Sequence, residues 1–165
     1  MAGKMTSDPL YIALTFDAEL DVFDSSFRGG ESLSLRGIEE GIPIIDGILA
    51  QHRDSSGARA CATWCVRCDD HIQALTGEHA YLLKHYRDCW QHHLDAGDEI
   101  GFHPHLYKQT ENGWVQETDA GALTSQIHRA HAAMEGAGFK SHVSRIGEAF
   151  SSNAVMQTLD DLGII

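Results

Sequence analysis

Basic residues are scarce in this chain: 12 Lys and Arg stand against 24 Asp and Glu among 165 residues, a formal net charge of −12. No Lys/Arg cluster interrupts that balance, so a nucleic-acid partner is excluded, because binding to a phosphate backbone is driven by grouped cations that displace its counterions. Long apolar runs are missing too. No window approaches the ~20 apolar residues that span a bilayer, and Met1 to Pro9 is polar and lacks the apolar core of a signal peptide. The chain therefore reads as cytoplasmic, with no membrane partner. Cysteine is limited to Cys61, Cys65, Cys68 and Cys89, and without a secretory signal free thiols are expected rather than a disulfide framework. Cys65 and Cys68 with His71 look like half of a zinc site, but no second ligand pair follows at the required spacing, and Ala60 to Val66 reads better as a strand. Repeats, low-complexity tracts and linkers are absent as well, so residues 1–165 are expected to form a single domain.

What is present is an alternation of short apolar runs and amphipathic stretches. Tyr11 to Phe16 is the first apolar run, a loop rich in Asp, Ser and Gly covers Asp21 to Ser34, and Ile42 to His52 has helical spacing with Pro43 in its first turn. Arg59 to Val66 is a second strand. Glu78 to Ala96 follows as one long helix with Leu82, Leu83, Tyr86, Trp90 and Leu94 in a stripe, ended by Gly97. Glu99 to Phe102 is a third strand, and a loop then reaches Thr118, where a helix runs to about Glu135. Val143 to Ile146 gives a fourth strand and Ser151 to Leu162 a fourth helix, with Ser151 or Ser152 as N-cap, while Ile164 and Ile165 open a fifth strand. Most of the histidines, His79, His85, His92, His93, His128 and His131 among them, fall between charged residues and are expected on solvated helix faces. Strand followed by helix, again and again, predicts an α/β fold of parallel βα units, with helices outside the strands. At 165 residues the chain is short for a closed eight-unit barrel of about 250.

Two strand ends carry chemistry. In Leu14-Thr15-Phe16-Asp17-Ala18-Glu19 two carboxylates lie two residues apart at the end of an apolar run, where the ligand side of an α/β sheet is built. Glu99-Ile100-Gly101-Phe102-His103-Pro104-His105 repeats the arrangement with imidazoles. A divalent cation needs ligands that are already deprotonated near neutral pH, and carboxylate with imidazole meets that need for zinc or a similar ion. Glu19, His103 and His105 are the candidate metal ligands, leaving a coordination position open for water, and Asp17 is the candidate general base. The plainer alternative is an Asp17 that caps a turn, a solvated Glu19 and a surface histidine pair.

These residues also resemble a known family. Thr15-Phe16-Asp17-Ala18-Glu19 is similar to the first motif of polysaccharide deacetylase domains of the carbohydrate esterase family 4 type. The resemblance implies a distorted (β/α) barrel, incomplete in this chain, that hydrolyses acetamides on amino sugars, with Asp17 as base and Glu19 as ligand. Gly97 to His105 resembles the second motif, which supplies two metal-binding histidines, though with a shorter spacing than the commoner form. Arg145-Ile146-Gly147-Glu148-Ala149-Phe150 resembles the third, whose arginine, here Arg145, orients the base. The family's aromatic wall and its later Leu-His pair have no counterpart before Ile165, so the chain looks like the N-terminal part of such a domain. Strand edges left open in that way imply poor solubility or homo-oligomers. The implied substrate is an amino sugar or polysaccharide, the alternatives being a small amide or ureide, or a fragment that only binds metal.

Overall fold

The computed structural model describes residues 12–21, 34–53 and 57–164. Its centre is a parallel sheet in the order β1 (Thr15–Ala18), β2 (Thr63–Arg67), β3 (Glu99–His103). The register pairs Asp17 with Cys65, Cys65 with Gly101, and Arg67 with His103. Beyond β3 the chain at Ser144 bridges in parallel to Phe102. Phe102 N–H donates to the Val143 carbonyl at 3.0 Å, and Arg145 N–H to the Phe102 carbonyl at 3.0 Å. The expected fourth strand is thus present as this single bridge, and the parallel βα order expected from the alternation is the order observed.

Because side chains alternate along a strand, each register row belongs to one face. Phe16, Trp64, Ile100, Val66 and Phe102 fall on the helix side, where the Phe16 and Trp64 rings pack tilted at 31° with centroids 4.9 Å apart. There they share a core with Leu82, Leu83, Trp90, Leu123, Ile127 and Met134. Full burial of a side chain of this size contributes roughly 1.5–3 kcal/mol. The opposite face carries Thr15, Asp17, Cys65, Arg67, Gly101 and His103. The Arg145 guanidinium crosses that face to hydrogen-bond Asp17 at 2.9 Å and Thr15 Oγ1, three strand positions from its own backbone. On a flat sheet three spacings amount to about 14 Å, far beyond the reach of an arginine side chain. The sheet therefore curls towards its polar face, as the wall of a barrel does. Small residues in the middle of the row make room: a Cβ on Gly101 would lie 3.1 Å from Cys65 Sγ and 3.4 Å from Val143 Cγ2.

The helices are α1 (Ile42–Leu49), α2 (Asp70–Thr76), α3 (Tyr81–His85), α4 (Arg87–Asp95), α5 (Ala120–Gly136) and α6 (Asn153–Asp161). Asp69, Asp119 and Ser152 cap α2, α5 and α6 by accepting from the backbone amides of Ile72, Ala122 and Val155. Several boundaries differ from the sequence reading. The first strand begins at Thr15, four residues after Tyr11, which lies outside the described residues, because β1 extends only as far as β2 pairs with it. That puts Asp17 inside the strand and Glu19 just past it.

The expected helix from Glu78 to Ala96 is two helices, broken at Tyr86 (φ −108°, ψ 30°). The break shifts the helical phase, so Leu94 is exposed and His93, expected on a solvated face, is fully buried with its Nδ1 2.8 Å from Asp98 Oδ2. His79 is likewise not a free surface residue: its Nε2 lies 2.8 Å from Asp70 Oδ1. The segment after His105 contains a hairpin, β4 (Tyr107–Thr110) and β5 (Gly113–Gln116), rather than a plain loop. Ile164 is buried without forming a strand, and Ile165 lies outside the described residues.

Candidate metal centre

At the C-terminal end of the curled sheet three side chains from two distant segments meet. Glu19 leaves the end of β1, His103 closes β3, and His105 follows two residues later. Glu19 Oε2 lies 3.1 Å from His105 Nε2 and 4.0 Å from His103 Nε2, and the two imidazole Nε2 atoms are 3.3 Å apart. One ligand atom from each residue falls within 4.8 Å of the other two, the only such group of histidine, cysteine or acidic residues among the described residues. Both histidines are buried and Glu19 is partly buried. The structure thus brings Glu19, His103 and His105 together on one face.

The partners of the far ring nitrogens decide what these near atoms offer. His103 Nδ1 lies 2.5 Å from the Arg145 carbonyl, which can only accept, so Nδ1 carries the proton. His105 Nδ1 is 3.1 Å from the Tyr107 hydroxyl, whose own proton goes to Glu148 Oε1 at 2.8 Å. Burial and that carboxylate push the Tyr107 phenol above its ordinary range, so it keeps the proton it donates. His105 Nδ1 must then be the donor to the Tyr107 oxygen. With a proton on each Nδ1, two Nε2 atoms and a carboxylate oxygen face one small space, a donor set that suits a cation. Burial also lowers the pKa of His103, against the Arg145 carbonyl and the Asp17 charge, which favours a neutral ring able to ligate. For Glu19, burial alone would raise the pKa, but contact with His105 and the nearby Arg67 bring it below the ordinary carboxylate range.

Asp17 stands beside this group, its Oδ1 4.0 Å from His103 Nδ1 and 2.9 Å from Arg145 Nη1. Its side chain is 32% exposed, so it opens towards solvent. The sequence-expected pair of Asp17 and Arg145 is therefore in contact. Two supporting residues escape the sequence reading. Arg67 at the end of β2 is 2% exposed, hydrogen-bonds Asp69 at 2.8 Å and approaches Glu19 at 3.6 Å. Asp69 in turn accepts from the backbone amide of His105 at 2.9 Å. Burial would raise the Asp69 pKa, yet the Arg67 charge outweighs it and holds the carboxyl ionised. An Arg-x-Asp at a strand end is their signal. The four cysteines are free, as expected, and Cys65, Cys68 and His71 do not gather into a ligand set.

No family model and no curated protein matches the sequence. Solved structures do. A family 4 carbohydrate esterase from Streptomyces lividans, in complex with acetate, superposes with a TM-score of 0.53 at 17% identity, over 93% of this chain and 59% of its own. A family 4 pseudoenzyme from Bacillus anthracis superposes with a TM-score of 0.53 at 16% identity, over 92% of this chain and 40% of its own. The fold is that of the family 4 carbohydrate esterases. A mutant of the same pseudoenzyme with restored enzymatic activity gives a TM-score of 0.54 at 18% identity. The chain thus spans 40–59% of the length of these neighbours, and it supplies a partial wall of their distorted barrel. No helix among the described residues is long and apolar enough to cross a membrane.

Proposed function

We propose that this chain carries the metal-binding half of a hydrolase that removes an acetyl group from the nitrogen of an amino sugar, with zinc as the ion. The observation that carries the reading is the convergence of Glu19 Oε2 with two imidazole Nε2 atoms whose Nδ1 protons are engaged elsewhere. Two histidines and a glutamate are a donor set of catalytic zinc, which takes three protein ligands and leaves a fourth position open. Bound there, such an ion would lower the pKa of a water to about 7 and polarise the acetamide carbonyl. Asp17 lies within 4.0 Å of the ligand His103 and faces solvent, placed to take a proton from the attacking water. Arg145 holds one Asp17 oxygen at 2.9 Å, which fixes the direction of the other. Support for the acetyl group comes from the neighbouring Streptomyces lividans esterase, solved with acetate, the acid product of such a hydrolysis.

A second reading, metal binding without catalysis, rests on a specific observation: one structural neighbour is a pseudoenzyme, so this fold occurs without catalysis. The two separate in one experiment. The zinc-loaded chain is analysed for metal content and incubated with N-acetylated amino-sugar oligomers and with small amides and ureides, acetate or ammonia release being followed. One zinc per chain in wild type and in Asp17→Asn, its loss in His105→Ala, and acetate release that falls by on the order of 10² to 10⁴ in Asp17→Asn would support the hydrolase. Stoichiometric zinc without release from any substrate would leave the binding reading, and absence of bound metal would overturn both.

A further inference from the structure

The turn that follows the Arg145 segment is held in a conformation that its residues resist. Glu148 has φ 55° and Ala149 φ 50°, the left-handed region that side chains with a Cβ avoid, and neither residue is a glycine or an asparagine. Such strain persists only where surrounding contacts enforce it. Here the enforcing contacts run to the metal-ligand segment. Gly147 N–H donates to the Pro104 carbonyl at 3.0 Å, between the two histidines, and the turn closes on itself through Phe150 N–H to the Gly147 carbonyl at 3.1 Å. The twisted backbone delivers the Glu148 carboxylate to the Tyr107 hydroxyl at 2.8 Å, and that hydroxyl meets His105 Nδ1 at 3.1 Å. Tyr107 opens β4 immediately after the ligand loop, and its ring packs edge-on to the His105 ring with centroids 5.3 Å apart. The imidazole is therefore touched along its edge by a phenol, on one flank by the Gly147 backbone, and at its far nitrogen by a hydrogen-bond chain that ends in a carboxylate.

We infer that Glu148 and Tyr107 are positioning residues for His105, a carboxylate and phenol relay that keeps the ring proton on Nδ1 and aims Nε2 at the ion. The inference rests on the metal-centre reading of Glu19, His103 and His105. A carboxylate only accepts, so it orients the hydroxyl hydrogen towards itself; the hydroxyl oxygen, its hydrogen spent, presents a lone pair to the imidazole; the imidazole answers with Nδ1–H and has its Nε2 lone pair left for a cation. His103 reaches the same state by donating directly to the Arg145 carbonyl, a group no side-chain substitution removes. His105 depends instead on two side chains, which makes its ligation the tunable one of the pair. Outer partners of metal-binding histidines commonly set affinity by tenfold to a hundredfold. The left-handed turn at Glu148 is then the conformational cost of bringing a carboxylate to the end of this relay.

The experiment is zinc affinity of the full 165-residue chain, measured by competition with a chromophoric chelator. Thermal unfolding of the metal-free protein serves as the control. Tyr107→Phe and Glu148→Ala are each expected to weaken zinc by about tenfold to a hundredfold. Glu148→Gln keeps an acceptor oxygen for the phenol and is expected to stay within about threefold of wild type, a rescue that general destabilisation would not produce. The double variant Tyr107→Phe/Glu148→Ala should lose no more than the worse single variant, because both act through one chain of contacts. Glu148→Gly relieves the backbone strain while deleting the carboxylate, so zinc affinity should fall although the metal-free unfolding temperature is unchanged or higher. Wild-type zinc binding with Tyr107→Phe and Glu148→Ala inside twofold of it overturns the relay and leaves the metal centre standing. Wild-type protein that binds no zinc overturns both.

Discussion

A single methyl group at position 147 is expected to displace His105, one of the three candidate metal ligands. A Cβ added to Gly147 would stand 2.5 Å from His105 Nε2, and closer still to Cδ2 and Cγ of the same ring. Unbonded carbon and nitrogen settle at about 3.5 Å or more, so in Gly147→Ala either the imidazole or the turn must shift by about 1 Å. Metal sites tolerate about 0.2 Å. The steric cost should appear in the metal-free protein as about 1–3 kcal/mol of lost stability, the range for overpacking. Its larger effect should be on zinc. At a zinc concentration 100 times the wild-type dissociation constant, binding stabilises the wild type by about 2.7 kcal/mol. A hundredfold weaker variant would gain only about 0.4 kcal/mol at the same concentration. Urea unfolding with and without zinc reads both quantities. Gly47→Ala is the matched control: it lies in α1, where an added Cβ would meet nothing within 4 Å, and should gain about 1 kcal/mol from helix propensity with no change in zinc response. Should Gly147→Ala bind zinc as tightly as wild type, the packing of the turn against His105 would not constrain the ligand, and the reasoning fails.

Other outcomes can be stated as briefly as they can be measured. His71 is buried and takes a hydrogen bond from Arg67 at 2.7 Å, and its pKa is pushed down to about 4 by burial and by the Arg67 charge. Its folded pKa lies below its unfolded one, so the stability it contributes is complete above pH ~6.5 and is lost as the pH falls towards 4, on the order of 3 kcal/mol in all. His71→Asn should flatten that part of a urea-midpoint profile recorded with chelator present, and an unchanged slope would place the titration elsewhere. Asp98 is fully buried and accepts from Arg59 at 2.6 Å, Trp64 at 3.1 Å and the Ala62 amide at 3.0 Å. Burial opposes its ionisation, but these donors prevail and hold its carboxyl far below the ordinary range. Its contribution is therefore present above the unfolded value of about 3.9 and lost as the pH falls below it. Asp98→Asn should cost about 3 kcal/mol at pH 7 by removing the buried anion that Arg59 pairs with at 2.6 Å and leaving it, among the described residues, only Asp46 at 3.9 Å, and a loss under about 1 kcal/mol would refute that. Among the thiols, exposed Cys61 should react with a disulfide reagent at pH ~8 well before Cys65, whose thiol burial raises to about 11.

Much of the sheet is legible because its code is local. Apolar runs ending in Asp17 and Glu19, or in His103 and His105, announce strands whose last residues face a ligand, and the parallel order follows from the helical spacing between them. What escapes is set by contacts across the chain. The apolar stripe from Leu82 to Leu94 is continuous in sequence and so reads as one helix through Tyr86, whereas the break at Tyr86 turns His93 inward to meet Asp98. The short helix α2, capped by Asp69, has no counterpart in the sequence reading, which passes from the second strand directly to Glu78. The hairpin carries its own signal in Asn112-Gly113, with Gly113 at φ 112°. The polar and charged residues around it, Lys108 to Glu111 among them, nevertheless read as loop.

The candidate site shows the same division between what a motif states and what a fold must add. Residue types at two strand ends suffice to nominate Glu19, His103, His105 and Asp17, since carboxylates and imidazoles at the ends of two strands of one parallel sheet point to a shared site. They say nothing of Arg67, whose buried charge is tolerable only because Asp69 and Glu19 flank it. Nor do they say why Arg145 reaches across three strand positions to Asp17. That contact needs a curled sheet, and the curl needs the polar face to be lined at its middle by a cysteine and a glycine rather than by bulk. Position 101 thus bears on how Asp17 and Arg145 meet, a dependence that only the register Asp17, Cys65, Gly101 makes visible.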